Sequence, residues 1–124
     1  MAENVELEIP LSTRFASTVR AVAAAVSADL GFSVDEIDDL RLAVNEAVSL
    51  LADVDDAGAG RLRIEFESDD GVVIVRCVRS GVDGQLAVED VDVLARRILD
   101  AVVDEYSVDD GTFTVVKRLA ALAN

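Results

Sequence analysis

Two stretches of helical periodicity lie back to back in residues 12 to 54, after which the hydrophobic period switches to two. The second stretch is the sharper. Ser33, with Glu36 three residues later, makes a capping-box start, and Val34, Ile37, Leu40, Val44, Ala47, Val48 and Leu51 then recur at the three-and-four spacing of a buried stripe. The first runs from Ser12 to Leu30, with Phe15, Val19, Val22, Ala23 and Val26 on one side and Gly31 as its stop. Two successive helices with no strand between them argue against strict strand–helix alternation and for an α+β fold.

The remaining elements complete that frame. Val5, Leu7 and Ile9 alternate with polar neighbours as in a half-buried strand, which Pro10 ends or marks as an edge. After the glycine-bearing turn at residues 53 to 60, Leu62, Ile64 and Phe66 share one face of a second strand. Asp69-Asp70-Gly71 has hairpin chemistry, and the nearly continuous apolar run Val72–Val78 predicts a central strand. Residues 89 to 104 read as a third helix carrying Val91, Leu94, Ile98, Ala101 and Val102. A short segment at Tyr106–Val108, a turn at Asp109-Asp110-Gly111 and the strand beginning at Thr112 follow. The predicted order is β-α-α-β-β-α-β-β in one domain over residues 1–124, a two-layer sandwich whose mixed or antiparallel sheet has helices on a single face. The open sheet face is then either a dimer surface or an ordinary solvated face.

Composition removes whole classes of chemistry. The chain has no histidine, so Ser-His-Asp and Cys-His catalysis, histidine phosphotransfer and histidine-ligated metals are excluded. A net charge of −14 repels phosphate backbones and anionic membranes, leaving a protein partner with a basic surface as the easier fit. The single cysteine, Cys77, sits in an apolar run as a small core residue and agrees with a reducing compartment. The acidic first residues lack a signal-peptide pattern and no apolar run approaches ~20 residues, so a cytoplasmic location is expected.

Glu46 lies off the buried stripe of the second helix, on a line with Leu42, Leu50 and Val54. On that mostly apolar second face it is either a functional group or a rim residue turned to water. The phrase DLRLAVNEAVS around it, the order of elements and the closing GTFTV strand resemble the RsbW-type anti-sigma factor serine kinases of the GHKL, or Bergerat-fold, ATPase superfamily. The likeness spans nearly the whole chain and implies that two-layer fold.

The resemblance also implies an ATP site, and the residues depart from it at three places. Where the family carries Glu-x-x-x-Asn, Glu46 matches the general base, but the Mg²⁺-binding Asn position is Leu50, which offers no lone pair. Asp53 nearby points about a quarter-turn or more away on an ideal helix. The adenine-binding Asp-x-Gly-x-Gly is best matched by Ser80 to Gly84, with Ser80 in place of Asp, Val82 in place of the first Gly, and Gly84 retained. The phosphate-cradling glycine-rich lid is missing, since no glycine lies between Gly84 and Tyr106, and Asp90 and Asp92 stand there instead. Thr112 after Gly111 keeps the family's Gly-Thr pair. These departures leave Glu46 a remnant, with ATP and Mg²⁺ not expected as cofactors and no metal site.

In the family an arginine on the first helix contacts both the sigma factor and its antagonist. Alignment through Leu7-Glu8-Ile9 puts Arg20 at that position, off the buried stripe and expected to be exposed, with Arg14 able to widen the patch. The expected function is therefore that of a degenerate anti-sigma factor, which sequesters an alternative sigma factor by direct contact, as a homodimer, and is released by a STAS-type antagonist. The alternative is an ATP-dependent serine kinase that phosphorylates that antagonist.

Overall fold

A computed structural model describes residues 3–54, 57–84 and 86–120. Its elements follow the expected order: β1 (Glu3–Pro10), α1 (Ala16–Asp29), α2 (Val34–Ala52), β2 (Arg61–Asp69), β3 (Val72–Ser80), α3 (Val93–Val102), β4 (Glu105–Asp109) and β5 (Thr112–Arg118). Short 3-10 turns at Thr13–Phe15, Ala57–Ala59 and Val88–Asp90 precede α1, β2 and α3. The five strands form one sheet in the order β1-β2-β3-β5-β4, and each neighbouring pair is antiparallel. Two-residue turns explain the β2–β3 and β4–β5 pairings. Asp70 and Gly71 adopt φ of 50° and 77°, Asp110 and Gly111 φ of 44° and 81°, and paired positive φ values suit the twist of a tight hairpin.

Period-two alternation divides the sheet into two faces. Leu62, Ile64 and Phe66 of β2, Val73, Val75 and Cys77 of β3, and Phe113 and Val115 of β5 are buried beneath the helices. On the helical side Val19 and Ala23 of α1 meet Leu40, Ala43, Val44, Ala47, Val48 and Leu51 of α2 in the same core. Burial of such aliphatic side chains stabilises the fold by about 1.5–3 kcal/mol each. β3 lies in the middle of the sheet, as its apolar run required, and its outer residues Val72, Ile74, Arg76 and Val78 are only half covered. Outside, Arg63 and Arg76 pair with Glu65 at 3.3 and 3.8 Å, Arg76 with Glu67 at 3.4 Å, Arg61 with Glu8 at 3.3 Å and Arg118 with Glu105 at 3.0 Å.

The capping box at the start of α2 forms as expected, with the Ser33 hydroxyl accepting from Glu36 N at 3.2 Å and Glu36 accepting from Ser33 N at 2.9 Å. Three stripe residues, Val34, Leu94 and Ala101, are exposed. Val34 is 74% exposed in the first turn of α2, where the Ala120 N–H donates to Glu36 at 2.7 Å. The third helix starts later than its pattern suggested, at Val93 behind an Asp92 cap. Leu99 and Val102 therefore enter the core while Leu94 turns outward, 68% exposed.

Lys117 fastens both layers at one end. Its ammonium donates to the Val102 carbonyl at 2.7 Å, ending α3, and to Asp39 of α2 at 3.3 Å. Among the described residues no helix is long and apolar enough to cross a membrane.

Candidate functional site

The last two turns of α2 form one wall of a cavity of about 190 Å³, contributing Glu46, Ser49, Leu50 and Asp53. The opposite wall comes from the turn before α3 and from α3 itself, through Asp90, Val91, Asp92, Ala95 and Leu99, with Phe113 of β5 as part of the floor. An adjoining hollow shares Leu50, Asp53 and Asp90 and adds Val54, Arg79 and Leu86. The structure thus brings Glu46 and Leu50 together on a concave surface.

The electrostatics there are dominated by carboxylates. Asp90 accepts from Ala87 N at 2.8 Å and Asp92 from Ala95 N at 2.7 Å, each satisfying a turn or cap. Glu46 and Asp53 have no such partner among the described residues. Desolvation by the cavity walls, and then the charge of Asp92, push the Glu46 carboxyl above the ordinary glutamate range. Asp53 corrects a sequence expectation. The helix ends at Ala52 and Asp53 takes φ −84° and ψ 68°, so its side chain lines the cavity with Leu50 and does not follow the ideal helical direction.

Sequence reasoning missed Arg79. It ends the inward row Val73, Val75, Cys77, Arg79 of β3 and is 9% exposed. Its Nη1 donates to the Leu51 carbonyl at 3.1 Å and its Nη2 to the Gly84 carbonyl at 3.5 Å. The inward alternation thus makes Arg79, and not Ser80, the residue that enters the hollow; Ser80 is exposed. The following glycine, Gly81, takes φ of +78° and approaches the Ala59 carbonyl so closely that a Cβ would lie 3.1 Å from it. Thr112 opens β5 opposite Val78, on the outer side of the sheet, and Gly84 serves through its carbonyl. Neither lines the two hollows. The period-two pattern of β3, extended one residue further, was the signal that could have found Arg79.

Arg20 also departs from expectation. It is half-buried, and its Nη1 donates to Asn45 Oδ1 of α2 at 2.6 Å. Packing of α1 along α2 converts an expected free cation into a strut between the two helices. Arg14 is exposed, with its guanidinium 5.6 Å from the ring centre of Phe15. The structure does not bring the two arginines into one mutual contact.

No family model matches the chain. It is similar to the serine-protein kinase RsbW of Halalkalibacterium halodurans, 29% identical over 75 residues that cover 59% of this chain and 46% of that protein. RsbW of Bacillus thuringiensis is 33% identical over 45 residues, 36% of this chain and 28% of that protein. The chain thus matches less than half the length of these curated relatives. Among solved structures, the RsbU and RsbW domains of Rv1364c from Mycobacterium tuberculosis align over 94% of this chain and 32% of theirs, with a TM-score of 0.65 and 21% identity. The fold is that of an RsbW-like domain, and the sequence carries a weak similarity to RsbW serine-protein kinases.

Proposed function

We propose that the chain is an anti-sigma factor-like regulator that captures an alternative sigma factor by protein–protein contact and transfers no phosphate. The observation that carries this reading is the composition of the α2–α3 cavity. Its walls hold Glu46, Asp53, Asp90 and Asp92, with Leu50 between them. A nucleoside triphosphate brings a polyanion to that surface and meets like charge, while Leu50 offers its counter-ion no oxygen. Among the described residues no group of three or more acidic or cysteine side chains is placed to hold a metal ion. Arg79, which lines the adjoining hollow, already donates to two carbonyls. The residues therefore do not fit ATP with Mg²⁺.

The similarity to RsbW supports a partner among sigma factors and a STAS-type antagonist as the releasing protein. In this reading the domain works in the cytoplasm as a homodimer and touches neither nucleic acid nor membrane directly. Arg20 of α1, held by Asn45, and Arg14 in the 3-10 turn before it form the partner-binding positions. The second reading, an ATP-dependent serine kinase, is favoured by one observation, the retention of Glu46 in the cavity.

Titration with a fluorescent ATP analogue and Mg²⁺ separates the two. The expected outcome is no saturable signal in the micromolar range, and micromolar Mg²⁺-dependent binding overturns the proposal. Affinity capture from the host lysate is expected to return a sigma factor, and Arg20→Ala to weaken its retention by roughly tenfold, the equivalent of ~1.4 kcal/mol. Equal retention by wild type and variant removes Arg20 from the interface.

A further inference from the structure

The turn that opens α3 has an unusual surface. Val93 and Leu94 are 67% and 68% exposed and Val88, just before them, 43%. On α2, Leu42 stands one turn before Glu46 and is 40% exposed. These are four of the six large hydrophobic side chains left in solvent among the described residues. Near them stand carboxylates that open on the cavity, Asp90 and Asp92 before α3, Glu46 on α2 and Asp53 just past its end. Scattered exposed apolar residues are ordinary; their concentration around an acidic cleft is not.

We infer that the α2–α3 cleft and the apolar turn at its edge form a docking surface for a basic amphipathic helix of a protein partner. An arginine or lysine side chain of that helix enters the cavity beside Glu46 and Asp53. The inference rests on the reading that this chain acts by protein contact, and it adds a second surface, distinct from the Arg20 position on α1. Charge complementarity selects the occupant. Glu46 and Asp53 have no cationic partner among the described residues, and Arg96 of α3 is held by the Val91 and Val88 carbonyls at 2.9 and 3.0 Å. The floor of Leu50, Leu99 and Phe113 suits the alkyl stem of a long cationic side chain, which buries its methylenes and keeps its charged head among carboxylates. An anionic or neutral helix gains nothing from those carboxylates, and a helix laid on apolar anchors is an established mode of recognition.

The test uses the whole chain and a synthetic leucine–arginine amphipathic helix of about 18 residues, a length that spans a groove with several turns. Two control peptides replace its arginines by glutamine or by glutamate. With the ¹⁵N-labelled chain, the largest amide shift changes are expected in residues 46–53 and 90–99. The double variant Glu46→Gln/Asp53→Asn is expected to weaken peptide binding about tenfold, and Val93→Ser/Leu94→Ser similarly. Glu6→Gln/Glu8→Gln, which removes the same charge from β1, is expected to change it less than about twofold. All six positions are at least partly exposed, and far-UV melting curves confirm that each variant folds. Equal loss in the β1 control, equal affinity for the glutamine peptide, or shift changes centred elsewhere overturns the inference. If the arginine peptide docks here while lysate capture yields no sigma factor, the surface stands and the anti-sigma reading falls. Sigma capture with no peptide response removes this surface alone.

Discussion

Arg79 of β3 and Leu51 of α2 are joined by a 3.1 Å hydrogen bond from the guanidinium to a helix-terminal carbonyl. The last carbonyls of a helix have no partner within it and carry partial negative charge. Arg79 supplies that partner from inside the sheet, while its second nitrogen reaches Gly84. One buried side chain therefore fixes the end of α2, the loop after β3 and the wall of the candidate cavity. Arg79→Ala is expected to lower stability by about 3 kcal/mol, combining a lost charge-assisted bond with an unfilled space. Arg79→Lys is expected to recover only part of this, since one ammonium lacks the planar fork. Urea denaturation measures both, and an unchanged midpoint for Arg79→Ala would show that the guanidinium does not hold the helix end.

The start of the same helix gives a smaller effect. Ser33→Ala removes the hydroxyl that accepts from Glu36 N and is expected to cost about 1 kcal/mol. Hydrogen bonds from the backbone of Ser33, and then of Ala120, hold the Glu36 carboxyl below the usual range. A depressed carboxylate contributes stability above its unfolded-state range and loses it as pH falls through the folded-state value. Glu36→Ala should therefore flatten the acid limb of the stability–pH curve, and an unchanged limb argues that these bonds are not maintained in solution.

Glu46 has the opposite sign. Its carboxyl is raised by desolvation and by Asp92, so the folded state holds the proton more tightly than the unfolded chain, and ionisation on raising the pH costs stability. Glu46→Gln is expected to raise Tm modestly at pH 7, with the gain disappearing in acid where wild-type Glu46 is protonated. Melting curves across pH 3 to 8 would show it, and a loss of stability at pH 7 would mean that the carboxylate has a stabilising partner.

Cys77 is fully buried in β3 and burial pushes its thiol up to about 12. A thiol reagent should find it only in the unfolded fraction, so labelling is expected to be slower than in denaturant by roughly a thousandfold or more. Rapid labelling under native conditions would place Cys77 on a locally opening strand.

The fold was legible in the sequence because its signals are local. Capping at Ser33, Asp-Gly turns after residues 69 and 109, and the contrast between helical and alternating periods define the elements and their order. What periodicity left out depends on how elements meet. Periodicity placed Leu94 on the buried stripe of the third helix and left Leu99 off it, and only the Asp92 cap and the seat of the helix on the sheet decide that Leu99 enters the core. Arg20 was read as free because its own helix says so, whereas Asn45 on a neighbouring helix binds it. Motif spacing drew attention to Ser80, although alternation along β3 aims Arg79 inward. Glu46 and Leu50 were legible as sharing a face; the second wall of their cavity, from α3, needed the tertiary structure.

The paired charges on the outer sheet have a further consequence. Arg61, Arg63, Arg76 and Arg118 are matched there by Glu8, Glu65, Glu67 and Glu105. That plate lies close to electrical balance in a chain of net charge −14, so the unbalanced charge belongs to the helices, turns and edges. A cationic body approaching that plate meets paired charge and gains little, whereas one approaching the turns at Asp53, Asp90, Asp92 and Asp110 meets carboxylates in excess. Raising the ionic strength shortens the distance over which that difference acts, to about 8 Å at 0.15 M.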